Sequence, residues 1–427
     1  MKQFQPQELK KKRLSVGYCL VNKNLPPWHS PEFLACSNRL WMMKKLLLSP
    51  LIFIAMGSVA FSLTGCSADE PVEQNEEITV VEEETGEPQA ESEPVSYDLS
   101  SLTGIKFPEN SNPLLVGPAL SAKIDNFALA RPQSGLNSAD IVVVERVESG
   151  LTRFVATWHS SIPEEIGPIR SIRPMDPNIV SPYGGIMAYS GGQDRFMDPM
   201  MATELYNATE DTEVGKETMF RKQGTGRPYE HTLYVRAGVL VSQHGDLTAP
   251  PEQFVFADLE AEETPSVNAG MSFNQFQVNY KESTSAWLMG NAEYSFNELG
   301  IELPTGETAT HSALLRSQGE TALIDALTDS QVRTKNVIVM ETELDFSAKD
   351  PTYGSIPETV LVNASGRAWV FADNKYLEIS WSKEGRTDPI QFSLPNGDPL
   401  VLTPGPTWIE YLDSYSATLE IDGELVP

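Results

Sequence analysis

Two β-branched, apolar runs with only four residues between them constrain this chain more than any other feature. Asp140 to Val147 and Thr152 to His159 are rich in valine, threonine and aromatic residues, and Glu148-Ser149-Gly150-Leu151 separates them, which is the pattern of a β-hairpin. Side chains alternate along a strand, so Ile141, Val143, Glu145 and Val147 fall on one face and a carboxylate sits on an otherwise apolar stripe. A loop symmetric about Ser149-Gly150 sets Arg146 directly opposite Arg153, a like-charge pairing that is unfavourable unless an anion lies between the two. The surrounding stretch, Lys123 to Arg173, sets further charges into strand-like sequence and marks a candidate pocket.

Residues 1–42 are polar and basic without sustained periodicity and read as a non-native extension ahead of a start at Met42 or Met43. Residues 43–65 have the layout of an export signal: Lys44 and Lys45, an apolar run from Leu46 to Leu63, then Leu63-Thr64-Gly65-Cys66. That tetrapeptide resembles a bacterial lipobox. The resemblance implies cleavage after Gly65, diacylglyceryl attachment to Cys66 and an extracytoplasmic protein anchored to the bacterial membrane. The alternative is an uncleaved signal anchor, for which the apolar run is near the lower length of a spanning helix. Cys19 and Cys36 precede the signal, so the mature chain keeps one cysteine and can build neither a disulfide nor a cysteine-ligated zinc site.

The chain holds 31 Lys+Arg and 59 Asp+Glu; residues 1–65 account for 9 and 2, leaving 22 and 57, a net −35. Such a surface repels nucleic acid and anionic headgroups, so DNA or RNA binding is disfavoured. Residues 66–96 are Glu-rich, without Lys or Arg, and read as a disordered tether. Residues 97–250 mix strands (Ala119 to Asp125, the hairpin, Ile186 to Ser190) with helices expected at Phe196 to Asn207 and Tyr234 to Ser242. Over residues 254–427, turn signals recur at Gly290-Asn291, Ser365-Gly366, Asp373-Asn374 and Asn396-Gly397, with one helix expected at Glu320 to Leu327. The expected fold class is α+β: a mixed α/β N-terminal domain followed by a mainly antiparallel β C-terminal domain.

No Gly-x-Ser-x-Gly elbow, phosphate-binding Gly-x4-Gly-Lys loop, His-Glu-x-x-His or dinucleotide glycine pattern occurs, so no cofactor is indicated. His159, His231, His244 and His311 are isolated from one another, and no metal site is indicated either. Lys123-Ile124-Asp125-Asn126, Ala130-Arg131-Pro132-Gln133-Ser134-Gly135-Leu136, Ala139-Asp140-Ile141-Val142, Thr152-Arg153-Phe154 and Ile166-Gly167-Pro168-Ile169-Arg170-Ser171-Ile172-Arg173 look like the N-terminal signature of the YerB-like bacterial lipoproteins. Asn336-Val337-Ile338-Val339, Trp381-Ser382-Lys383 and Thr403-Pro404-Gly405-Pro406-Thr407-Trp408-Ile409 resemble that family's C-terminal domain. The resemblance implies a lipoprotein with two domains and supplies no reaction, because the family's function is unknown. Where the family carries Pro-His-Asn-Leu this chain has Pro228-Tyr229-Glu230-His231-Thr232-Leu233, so a role resting on that asparagine does not carry over.

Two functions from different classes fit the charged stretch. In one, Arg153, Arg170 and Arg173, with Arg131, Arg146 and His231, bind a phosphate or carboxylate group, for which guanidinium forks are suited. Gly191 and Gly192, in Ser190-Gly191-Gly192-Gln193, then add backbone N–H groups. The partner is peptidoglycan or another anionic wall polymer. In the other, Glu145 is the general acid or base of a wall-glycan hydrolase, with Asp125 or Asp194 as second carboxylate. A third account gives Glu145 only a buried ion pair to Arg153 or Arg170 that fixes the hairpin. Trp369, Trp381 and Trp408 are expected in the core, and Lys383 at the surface.

Overall fold

The computed structural model describes residues 96–295, 308–352 and 354–427. The extension, the export signal, Cys66 and the tether as far as residue 95 lie outside them. Strands dominate the described residues and helices are few and short. The first half contributes β1 (Leu120–Asp125), β2 (Ile141–Arg146), β3 (Thr152–Trp158), β4 (Ile186–Ala188), β5 (Tyr206–Ala208) and β6 (Leu233–Arg236), with helices α1 (Asp176–Val180) and α2 (Asp194–Met201). The second half contributes β7 (Gln275–Asn279), β8 (Thr284–Ser295), β9 (Thr308–Gln318), β10 (Asn336–Asp345), β11 (Ala364–Ala372), β12 (Lys375–Lys383), β13 (Thr407–Asp413) and β14 (Thr418–Ile421).

One large sheet runs β12-β11-β10-β13-β2-β3-β1-β4-β5. Its centre explains the run Ile141-Val142-Val143-Val144. Val142 and Val144 face a core shared with Phe154, Trp158 and Trp408 and with Phe276 and Trp287 of the second sheet. Ile141 and Val143 face the other core, with Val155, Ile338 and the α1 and α2 residues Ile179 and Phe196. A strand covered on both faces is apolar at every position instead of every second one. Each such side chain contributes roughly 1.5–3 kcal/mol on burial.

β2-β3-β1 is antiparallel, whereas β1-β4 and β4-β5 are parallel, so the sheet of the first half is mixed in strand direction. The second sheet, β9-β8-β7-β14, and the β10-β11-β12 meander are antiparallel. β13 is the exception: it lies between β10 and β2 and is parallel to both. The expected boundary between residues 250 and 254 therefore falls in chain without regular structure but does not interrupt the sheet.

The hairpin register differs by one residue from expectation. Glu145 pairs with Arg153 and Arg146 with Thr152. The connection has an odd number of residues: Val147 N–H donates to Leu151 O at 2.8 Å, and Ser149, at φ 60°, forms the apex by itself. Glu320 to Leu327 is not helical; Thr321–Ala322 and Ile324–Asp325 are short strands. Asp325 accounts for this, because its carboxylate accepts the N–H groups of Gly135 (3.0 Å), Asn137 (2.7 Å) and Leu327 (2.9 Å). The helix expected from Phe196 is α2, which ends at Met201, and the one expected from Tyr234 begins at Ala237, after β6.

Asp373-Asn374 does turn the chain between β11 and β12, with φ 46° and 59°. Gly290-Asn291 and Ser365-Gly366 instead lie inside β8 and β11. Gly366 is there for space: a Cβ would sit 2.9 Å from Trp381 Nε1, which donates to Glu341 O at 2.9 Å. Trp369, Trp381 and Trp408 are core residues. Lys383 is buried rather than exposed, and its ammonium donates to the carbonyls of Arg386 and Asp388.

Candidate functional site

The ends of β1 and β3, the hairpin loop, the segment before α1 and the loop after β4 enclose a cavity of about 620 Å³. Cross-strand pairing places its first residues. Asp125 is the partner of Arg153, and Arg153 of Glu145, so the three are aligned across β1, β3 and β2. Phe154 points into the core and Arg153, its neighbour, toward the cavity wall.

Asp125 Oδ1 accepts the Phe127 N–H at 2.9 Å. Its Oδ2 lies 3.1 Å from Arg170 Nε and 2.6 Å from His231 Nδ1. The His231 ring stacks on Phe127, with centroids 5.4 Å apart and planes 9° apart. Arg170 also donates to Glu230 O at 3.1 Å. Arg173 donates through Nε to Glu148 Oε2 at 2.8 Å and through Nη1 to Ile172 O at 2.7 Å. Burial opposes ionisation of Glu148, but the Arg173 guanidinium overrides it and holds the carboxyl below its ordinary value.

Arg153 differs from its neighbours. It donates to Ser171 O at 2.7 Å and makes no ion pair among the described residues. Burial, and then the like charges of Arg173 and Arg170, push its pKa down to about 9, so it stays cationic at neutral pH under electrostatic stress. Opposite lies Ser190-Gly191-Gly192-Gln193. Gly191 has φ 101°, and the N–H groups of Gly191, Gly192 and Gln193 donate to no acceptor among the described residues. Successive free N–H groups around a left-handed glycine form an anion-accepting concavity.

Glu145 is not part of the wall. It is fully buried and bonded to Lys123 Nζ, which also donates to Asp176 Oδ1 at 2.7 Å. Asp176 Oδ2 in turn accepts the Arg173 N–H at 2.7 Å. The expected ion pair exists, but with a lysine rather than Arg153 or Arg170, because Lys123 shares the β1 face of Asp125 two residues on. An acid or base sealed this way has no access to a substrate. Burial, against the pull of Asp176, presses the Lys123 ammonium below its ordinary value.

The other expected residues divide. Asp125, Arg153, Arg170, Arg173, Gly192 and His231 line the cavity. Gly191 adjoins it, its carbonyl taken by Ile172 N–H at 3.0 Å. Arg146 lies on the opposite sheet face, bonded to Asp413 Oδ1 (2.9 Å) and Ser416 Oγ (2.6 Å), as the shifted register requires. Arg131 is outside the wall, donating to Asn126 O at 2.7 Å. Asp194 is the exposed first residue of α2 and is also outside. Sequence reasoning missed Phe127 and Glu148; the latter was visible as the one acidic residue of the hairpin loop. Among the described residues no three His, Cys, Asp or Glu side chains converge on a metal position, and no helix is long and apolar enough to cross a membrane.

Comparison with known proteins agrees with this architecture. Residues 102–248 match the model described as "Protein of unknown function (DUF3048) N-terminal domain", and residues 308–409 match its C-terminal counterpart. A protein of Bacillus subtilis (strain 168) named "Putative lipoprotein YerB" is 22% identical over 308 residues, covering 70% of this chain and 83% of that protein. The crystal structure of the YerB protein from Bacillus subtilis superposes with a TM-score of 0.57 at 20% identity, over 76% of this chain and 99% of that one, which is a likeness of fold. By both domain matches and by this relative, the chain belongs to the YerB-like family of two-domain proteins of unknown function.

Proposed function

We propose that this is a lipid-anchored protein of the cell envelope whose cavity binds the phosphate or carboxylate group of an envelope component. The observation that carries the reading is Arg153: a guanidinium on a cavity wall, with no carboxylate partner among the described residues and two like charges beside it. An arriving anion relieves that repulsion, and the unused N–H groups of Gly191, Gly192 and Gln193 add donors opposite. On a chain carrying −35 after residue 65, a cavity wall with an unpaired guanidinium is selective by contrast with its surroundings. Wall polymers and peptidoglycan stems present such groups outside the membrane. Support for the anchor is Leu63-Thr64-Gly65-Cys66 together with the lipoprotein name of the Bacillus relative.

The test is thermal unfolding of the purified chain with inorganic phosphate and with an anionic wall polymer. Ligand at a hundred times its Kd stabilises the native state by about 2.7 kcal/mol. Added chloride should reduce the effect, and Arg153→Ala should remove it while the protein still unfolds cooperatively. Absence of any anion-dependent rise in the wild type contradicts the reading. For the anchor, Cys66→Ala should accumulate as an uncleaved precursor that takes up no fatty-acid label; normal processing of that variant would refute it.

A further inference from the structure

Anion binding leaves one arrangement in the cavity unused. Asp125 and His231 are both nearly sealed, at 2% and 3% exposure, yet both are on the wall. A carboxylate only accepts, so in the neutral ring the 2.6 Å contact sets the proton on Nδ1 and the lone pair on Nε2. No group among the described residues bonds Nε2, and it is not among the sealed polar atoms. The ring cannot swing freely, because it stacks on Phe127, whose backbone N–H binds the same Asp125 carboxylate. A histidine oriented by a buried carboxylate, with its other nitrogen open, presents that nitrogen as a nucleophile.

We propose that His231 is a catalytic nucleophile that takes the phosphoryl group of a phosphomonoester, a deepening that rests on the anion-binding reading above. The ester class follows from the wall. A monoester presents three terminal oxygens to Arg153, whose guanidinium has no carboxylate partner, and to the nitrogens that Arg170 and Arg173 do not spend on Asp125, Glu148 and backbone carbonyls; a diester has only two such oxygens, and a carboxylate has no transferable group. Phosphoryl transfer passes through a loose transition state with charge spread over those three oxygens, so positioned cations supply most of the catalysis. In the first step the Nε2 lone pair forms the N–P bond as the ester O–P bond breaks, and the leaving oxygen departs with the bonding pair, taking the proton carried by a monoanionic substrate. In the second, water forms the new O–P bond, the N–P pair returns to Nε2, and a water proton passes to a phosphate oxygen, releasing dihydrogen phosphate. Asp125 stabilises the ring while it carries positive charge.

p-Nitrophenyl phosphate is the probe, with bis(p-nitrophenyl) phosphate as the diester control, both on the full chain. Expected are nitrophenolate release from the monoester alone and, after quenching in base, a base-stable, acid-labile phosphoryl group mapped by mass spectrometry to His231. His231→Gln should abolish both. Asp125→Asn should lower the rate roughly 10²- to 10⁴-fold. Wild-type protein that is stabilised by phosphate but yields neither nitrophenolate nor adduct overturns the catalytic role and leaves binding standing. An unchanged rate in His231→Gln, or an adduct on another residue, overturns it equally, and no phosphate stabilisation with no release removes both ideas. If His231→Gln does not fold, adduct mapping on the wild type decides alone.

Discussion

Lys123 ties the arginine cluster to the sheet. Its ammonium joins Glu145 on β2 to Asp176 at the start of α1, and Asp176 holds the backbone of Arg173. Removing one member of a buried ion cluster leaves its partners uncompensated, so Lys123→Met should cost about 3–5 kcal/mol. Denaturant unfolding checks this; a variant as stable as the wild type would mean that the triad bears no charge. That Glu145 sits on an apolar stripe was legible from strand alternation. Its partner was not, because Lys123 reaches it across β3, and sequence does not state which strand lies between two others.

A second buried group sets a pH dependence. His159 is 1% exposed, and burial pushes its pKa down to about 4 against the backbone groups of Gly117, Leu114 and Leu115, which pull it up. The folded histidine stays neutral while the unfolded one protonates below its ordinary value near 6.5, so its stabilising contribution is present above that value and is lost as pH falls toward 4. Neighbouring Asp140 acts in the opposite sense. Burial raises it to about 6 despite bonds from the His159 and Ser160 N–H groups, so its contribution falls as pH rises from about 4 to 6. Comparison with His159→Phe separates the two: between pH 7 and pH 5 the wild type should lose about 2 kcal/mol more than the variant. Parallel pH profiles would refute a neutral buried imidazole.

The strands were legible wherever apolar runs were long, as in β1, β2, β3 and β10. Errors fell where a tertiary partner overrides local preference. Asp325 turns a helical-looking segment into short strands by serving the N–H groups of Gly135 and Asn137, almost two hundred residues away in sequence. The hairpin slip had a local cause, an odd loop with Ser149 at its apex, yet its consequence was large. One residue of register carried Arg146 to the far face and set Arg153 beside Glu145 and Asp125. Gly366 read as a turn because glycine punctuates chains, whereas in β11 it makes room for the Trp381 indole. Gly366→Ala should therefore cost about 1–3 kcal/mol by overpacking, with a shift in Trp381 fluorescence. A neutral effect on both would show that the strand has slack there.

β13 decides how the two family segments depend on each other. It comes from the end of the chain, but pairs with β10 on one side and β2 on the other, so the cavity's supporting strands β2, β3 and β1 are continuous with the C-terminal half. No local signal in Thr407–Asp413 announces this, because a parallel strand can insert at any position whose two neighbours are buried on both faces. Every cavity residue lies between Asp125 and His231, while one edge of that unit is closed only by β13. The link near Thr248, Pro251 and Glu252 is exposed and is the expected cleavage site within the described residues. A nick there should leave two fragments that co-elute under native conditions and separate only in denaturant. The nicked protein should keep its response to phosphate; once the halves are parted, the N-terminal fragment should lose it, since β2 would expose a bare apolar edge. Fragments that separate without denaturant, with the N-terminal one still stabilised by phosphate, would instead make the halves independent domains and reduce β13 to a contact between them.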